Sequence, residues 1–213
     1  MSRGAAAGAD IWDERAHRPG LHAVLSGRWT LEQCAEVDRE QKELIERLLP
    51  DLDRDRVIDL GCGVGRLSAW LSARARWTVG VDRSAQMVRR AARALDGKPA
   101  RAVRSGIDRL PFDDGSFDTV LAVFTLQHLT DDTVFRSAVR EMGRVVTPCG
   151  GRLLVVDGHN PAGVPRDVSS VTTSTVIRPL SDYDDLAAVA VRTAVEELTY
   201  AGDRYLAQLW RTT

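Results

Sequence analysis

The sequence predicts an α/β fold: a Rossmann-like, seven-stranded, mostly parallel sheet with helices on both faces, a C-terminal antiparallel hairpin and an N-terminal helical cap. Three observations predict it. Strand-length apolar runs alternate with stretches of helical period, and a glycine turn follows the first of those runs. The last two β-rich runs flank Ala201-Gly202-Asp203, a hairpin signal. Parallel strands need crossover helices, so the alternation implies a sheet covered on both faces, with the hairpin adding one antiparallel strand. At 213 residues the chain suits one such domain over residues 51–213, preceded by a tail and helical cap over residues 1–50.

Each element has its own signal. Trp29 to Pro50 opens with Thr30 as N-cap and carries Leu31, Cys34, Val37, Leu44, Ile45, Leu48 and Leu49 at helical spacing. Val57–Leu60 reads as a strand, followed by the glycine turn and a helix over Arg66–Ala75. Thr78–Asp82 is a second strand, and Ser84 caps a helix running to about Leu95. Arg101–Arg104 makes a third strand, and Phe117–Thr125 a fourth with a nearly unbroken apolar run. Asp131–Val146 is helical, and Gly151–Asp157 forms the fifth strand after the turn at Pro148. Ser181 is expected to cap a last helix through Val191, ahead of strands Thr193–Tyr200 and Arg204–Arg211. Met1–Ala9 and Gly158–Thr175 read as loose segments.

Charge and composition exclude several functions. With 29 basic against 30 acidic residues, the net charge is −1, and no basic stripe suits a phosphate backbone. Nucleic acid is therefore not an expected partner. The longest apolar run, around Val120 to Leu126, is strand-sized, so no membrane partner is expected either. The first residues carry an early acid and no apolar signal core, which predicts a cytoplasmic chain. Cys34, Cys62 and Cys149 are too few and too far apart for a disulfide framework or a zinc site. Oligomeric state leaves no trace in the sequence.

The stretch VIDLGCGVGRLS, Val57 to Ser68, carries the most chemistry. Gly61, Gly63 and Gly65 alternate directly behind a strand and open a helix, where glycine permits positive φ and close approach to the main chain. A dinucleotide fingerprint wants its third glycine one place later, where Arg66 stands. The turn also lacks the lysine and hydroxyl residue of a triphosphate loop. Further along come VGVDRS (Val79 to Ser84), LPFDDGSFDTVLAVFTLQHL (Leu110 to Leu129) and EMGRVVTPCGGRLLVVD (Glu141 to Asp157). These four segments, in this order, resemble the motifs of class I S-adenosylmethionine-dependent methyltransferases over about Val57 to Asp157.

The resemblance implies S-adenosyl-L-methionine as cofactor and assigns roles. Asp59 would lie near the cofactor's ammonium, and Gly61, Cys62, Gly63 and Gly65 would shape the turn beside its methionine end. Asp82 would accept from both ribose hydroxyls, a task suited to a two-oxygen acceptor at a strand end. Met87 would face the adenine, or else belong to the core. Ile107 would cover the ring, and Val123, within the fourth strand, completes the cofactor-binding set. The adenine edge departs from the pattern: relatives commonly read Gly-Asp-Ala-Glu before Leu-Pro-Phe, whereas here Gly106 occupies the aspartate position. Asp108 is the candidate replacement acceptor, and Arg83, where relatives often carry an apolar residue, is placed to stack on the ring.

A sulfonium brings its methyl group already activated, so the protein supplies alignment and desolvation. A general base is needed only for a protonated acceptor of high pKa. His128, after the fourth strand, and His159, two residues past the fifth, are the candidates. Asp157, His159 and Asn160 are too local a cluster to assign a metal. The N-terminal stretch Ile11 to Trp29, with Trp12, His17, His22 and Trp29, either closes over the acceptor or anchors the first helix. With no separate recognition domain, a small-molecule acceptor is expected, with oxygen, nitrogen and carbon nucleophiles all open and bacterial secondary metabolism a plausible setting. The alternatives are a protein that binds S-adenosylmethionine without methyl transfer, as a regulator or cyclase, and a nucleic-acid methylase, which the run Phe124-Thr125-Leu126-Gln127 disfavours. A nicotinamide enzyme is disfavoured by Arg66.

Overall fold

The computed structural model describes residues 11–159, 166–169 and 174–213. Its first long element, α1 (Leu31–Leu48), starts at a reciprocal capping box. The Gln33 amide donates to the Thr30 hydroxyl at 3.1 Å, and the Thr30 amide donates to the Gln33 side chain at 2.9 Å. Then follow β1 (Arg56–Leu60), α2 (Arg66–Leu71), β2 (Trp77–Asp82), α3 (Ala85–Ala94), β3 (Ala100–Arg104) and β4 (Thr119–Val123). A 3-10 turn (Leu126–His128) leads to α4 (Asp132–Val145) and β5 (Arg152–Gly158). The chain closes with β6 (Arg166–Ser169), β7 (Ser174–Ile177), a 3-10 helix (Leu180–Ala188), β8 (Ala190–Tyr200) and β9 (Asp203–Thr212).

Seven strands form one sheet in the order β3-β2-β1-β4-β5-β9-β8. The first five run parallel, and β9 alone is inserted antiparallel between β5 and β8. Central strands bury both faces, which is why β4 reads as a continuous apolar run. On one face α4 lays Phe135, Ala138, Val139 and Met142 against Val120, Ala122, Leu153 and Trp210. On the other, Val37, Leu44 and Ile45 of α1 pack with Leu67 and Leu71 of α2 over Val57, Leu121 and Leu154. Strand order reverses between β1 and β4, and that reversal opens a crevice at their carboxyl ends.

Several sequence expectations need correction. The segment beginning at Ser181 is not an α-helix to Val191: it is 3-10, starts at Leu180 behind Pro179 and has no side-chain cap. Asp182, Asp184 and Asp185 are poor helix formers, and β8 claims Ala190 and Val191 by pairing them with Thr212 and Arg211. The helix expected to Ala75 stops at Leu71. The fourth strand is shorter than Phe117–Thr125, because Phe124 takes φ +56° and turns the chain out of the sheet. Part of the stretch read as loose, Gly158–Thr175, pairs as the ribbon of β6 and β7. The expectations for Met1–Ala9, and for 160–165 and 170–173 within that stretch, lie outside the described residues.

Gly65 ends the glycine turn at φ +81°, and a Cβ there would stand 3.0 Å from the Ala91 Cα of α3. Backbone on both sides leaves little room to relax. Gly65→Ala is expected to destabilise the fold by about 1–3 kcal/mol, read as a lower urea midpoint with an unchanged slope.

Candidate active site

The crevice at the strand-order reversal is a cleft of about 1040 Å³, counted to its open mouth. Its floor comes from the ends of β1, β2 and β4: Asp59, Gly61, Cys62, Gly63, Asp82 and Val123. One wall is the loop Ser105–Asp108 after β3; the opposite wall is Phe124, Thr125, His128 and Leu129 after β4. The N-terminal segment roofs it with Trp12, Val24 and Leu25.

Asp59 is buried, and its Oδ2 accepts from the Ser68 hydroxyl at 2.6 Å. Loss of water outweighs that neutral partner and pushes its carboxyl up to about 6. Asp82 is arranged differently. Its Oδ2 accepts from the Gly63 amide and its Oδ1 from the Ser84 amide, both at 2.9 Å, so each oxygen keeps a lone pair toward the cleft. Burial raises its pKa against those two hydrogen bonds.

The roof is tied down on the far side of the cleft. Asp13 accepts from the Ser84 hydroxyl and, at 3.1 Å, from the Gln86 amide, capping the amino end of α3. Arg90 of α3 donates to the Ala16 and Arg18 carbonyls. Arg15 donates to the carbonyls of His22, Ala23 and Leu25, folding the segment back on itself. The Trp12 ring meets the His128 ring edge-on, centroids 4.9 Å apart, so roof and wall touch across the mouth. On the wall, Phe124 stacks on Tyr205 at 4.3 Å and meets Trp29 and Tyr200 edge-on.

A methyltransferase-domain family model matches residues 57–150, the span that builds this floor and both walls. Residues 57–150 thus carry a methyltransferase domain, and the match supports a class I S-adenosylmethionine-dependent methyltransferase. The chain is 39% identical over 107 residues to a demethylmenaquinone methyltransferase of Mycolicibacterium gilvum, covering 50% of this chain and 43% of that protein. It is 34% identical over 107 residues to a chloroplast tocopherol O-methyltransferase of Arabidopsis thaliana, covering 47% of this chain and 29% of that one. The chain thus spans less than half the length of either relative. Among solved structures, the [4+2]-cyclase SpnF superposes with a TM-score of 0.70 at 21% identity, over 89% of this chain and 85% of that one. That likeness concerns the fold.

The cleft gathers most of the residues that the methyltransferase motifs singled out. Asp59, Gly61, Cys62, Gly63, Asp82, Arg83, Ile107, Asp108, Val123 and His128 all line it. Three do not. Gly65 is the left-handed residue that starts α2. Met87 is fully buried in a small cluster with Ala16 and Ala23, partners supplied by the roof, so it is a core residue rather than a ring-facing one. His159 is the clearest correction: its ring lies 3.8 Å from Glu197 on β8 and its amide donates to the Arg204 carbonyl, away from the cleft lining. The strand end turns toward the hairpin, which sequence distance alone did not reveal. Asn160 of the local cluster lies outside the described residues.

The Asp108 carboxylate folds back over Gly106, into the space a side chain at position 106 would fill. The glycines of the turn also serve the protein itself. A Cβ at Gly63 would collide with Val24 of the roof, and one at Gly61 would stand 2.6 Å from the Thr125 hydroxyl. Sequence reasoning missed Asp13, Val24 and Thr125, because nothing in the linear spacing connects them to the turn. Among the described residues no cluster of His, Cys, Asp and Glu is arranged for a metal, and no helix is long and apolar enough to cross a membrane.

Asp59 has a measurable signature. Because its folded pKa is raised, its contribution to stability is complete below the ordinary carboxylate range and is lost as pH rises through about 6. Asp59→Asn is expected to unfold at higher temperature than wild type at pH 7.5. The advantage should shrink to nothing near pH 4, as followed by circular dichroism melts.

Proposed function

We propose that this chain transfers a methyl group from S-adenosyl-L-methionine to a small-molecule acceptor, by alignment and desolvation in the cleft at the β1–β4 reversal. The observation that carries the reading is Asp59. A carboxylate desolvated at the cleft floor, with a neutral hydroxyl as its side-chain partner, suits an ammonium group, whose charge would offset the cost of burial. The two free lone pairs of Asp82 suit a vicinal diol, one hydroxyl per oxygen. Asp108 and Ile107 line the wall that suits a purine amine and face. The residues present therefore fit the family's cofactor, which when bound supplies an activated methyl group.

What the chain itself contributes is enclosure and orientation. Trp12, Val24 and Leu25 shut out water from above, and Phe124, Leu129 and Val134 make the acceptor side apolar. His128 is the imidazole in the cleft and the candidate to take a proton from a protonated acceptor. An apolar end of this kind suits a flat or hydrophobic small molecule, and the quinone and tocopherol named in the two relatives are of that class. The domain boundary near residue 50 follows the same reading: α1 and the roof form a cap on the domain that begins with β1. A second reading, cofactor binding without methyl transfer, is favoured by the single imidazole among the described residues of the cleft lining.

Calorimetry with S-adenosylmethionine tests the cofactor half directly. Asp82→Ala is expected to weaken binding by about 1.5–3 kcal/mol, the worth of hydrogen bonds to a charged group, with the far-ultraviolet spectrum unchanged. Wild-type affinity should hold from pH 8 to 6.5 and fall about tenfold per unit below the Asp59 value of about 6, where protonation removes the charge the ammonium needs. Incubation with methyl-labelled cofactor and a host metabolite extract, read by mass spectrometry, separates the two readings: a labelled small molecule supports transfer, and tight binding without label supports the second.

A further inference from the structure

The floor of the acceptor side rests on a residue that does not line the cleft. Asp157, at the end of β5, is buried beneath the 3-10 turn. Its Oδ1 accepts from the Thr125 amide at 3.1 Å and from the Gln127 amide at 3.3 Å. Its Oδ2 accepts from the Tyr183 hydroxyl at 3.2 Å. The clamp is reciprocal, because the Gln127 side chain accepts from the Gly158 amide at 2.7 Å. The Thr125 hydroxyl donates to the Leu60 carbonyl at 2.9 Å, tying the same turn to β1.

These bonds fix three cleft residues at once. Phe124 holds a left-handed backbone, φ +56°, which a side chain adopts only when its neighbours impose it. Thr125 fills the space over Gly61, and His128 closes the turn by donating its amide to the Thr125 carbonyl at 3.0 Å. Without an acceptor at Asp157, the Thr125 and Gln127 amides would lose their partner, and the left-handed turn at Phe124 would be held only by its ring contacts and its amide bond to the Val156 carbonyl.

We propose that Asp157 is the positioning residue of the acceptor wall: its ionised carboxylate sets the Thr125–His128 turn, and protonation releases that turn. Calling this wall the acceptor side rests on the function proposed above; the clamp and its titration do not. Burial pushes the Asp157 carboxyl up to about 7 against its three hydrogen bonds, so both forms are populated near neutral pH. Each element packed around it contributes a titratable or charged group. The 3-10 helix brings Tyr183 and Asp182, β9 brings Tyr205, the turn brings His128 and β5 continues to His159. Tyr183 and Tyr205 are held neutral, their pKa values raised by burial. Arg178, behind β7, favours the ionised form of Asp157. It is buried on the Phe135 ring at 4.0 Å and pairs with Asp132 at 2.9 Å and with Asp182 at 4.0 Å.

The test is a pH titration from 5 to 9 of the backbone amide shifts of Thr125 and Gln127 in uniformly nitrogen-labelled protein, for wild type and Asp157→Asn. In wild type both amides should titrate together with a midpoint near 7. In the asparagine variant, which keeps an acceptor and the shape but not the proton, both should be flat. Wild-type amides that stay flat overturn the proposal. So does an unchanged titration in Asp157→Asn, which would assign the effect to His128 or His159. If the variant fails to fold, a carboxyl-carbon titration of wild-type Asp157 decides instead: a midpoint within one unit of 7 moving with both amides supports the clamp, and any other midpoint overturns it. Calorimetry of wild type with S-adenosylmethionine runs alongside. Absence of binding there sinks the functional reading while leaving the clamp standing.

Discussion

Desolvated carboxylates at strand ends are the constraint on which this molecule depends. Where the strand order reverses between β1 and β4, the strand tips open onto the cleft, and the main-chain groups there need partners. Asp82 accepts the amides of Gly63 and Ser84, and Asp157 accepts those of Thr125 and Gln127. Each carboxylate thus holds the loop beside its own strand. Asp59 differs, because its one side-chain partner is a hydroxyl and its charge faces the cleft. Structural and chemical duties are divided among three acids of the same type by what each one touches.

The glycine turn shows how closely the two duties are coupled. Glycine at positions 61 and 63 is required by Thr125 and Val24 as much as by any ligand, since both side chains occupy the space a Cβ would need. The roof over the cleft is therefore docked on the turn itself. Its other attachments, Asp13 on the amino end of α3 and Arg90 on the Ala16 and Arg18 carbonyls, lie beside Asp82. A molecule that displaced the roof would disturb the same helix end that positions the second carboxylate.

Burying acids this way costs stability at neutral pH, since the ionised forms of Asp59 and Asp157 are both disfavoured by lost hydration. The framework bears that cost through its two apolar layers and through ion pairs at the opposite, amino-terminal strand ends. There Arg152 bridges Asp55 at 2.5 Å and Arg56 grips Asp118 with two nitrogens. The cleft end is strained and polar, the other end tightly paired, a division that leaves binding chemistry where the fold can tolerate it.

The sequence by itself determined the sheet, its order of elements and the floor of the cleft. Those rest on local information: alternating periods, a glycine turn, and an acid at the end of the second strand, all fixed within a few residues of one another. It also placed His128 on the wall, because that residue lies in the short turn after β4. Tertiary structure alone decided the rest. Ser181–Val191 lost its helix because a sheet edge outbid weak helix formers for Ala190 and Val191. Met87 went to the core because the roof brought Ala16 and Ala23 against it. Asp108 took the place opposite Gly106, and His159 turned to Glu197 rather than to the cleft. For Val191, Met87 and His159 the deciding partner lies in another element, which a linear pattern does not show.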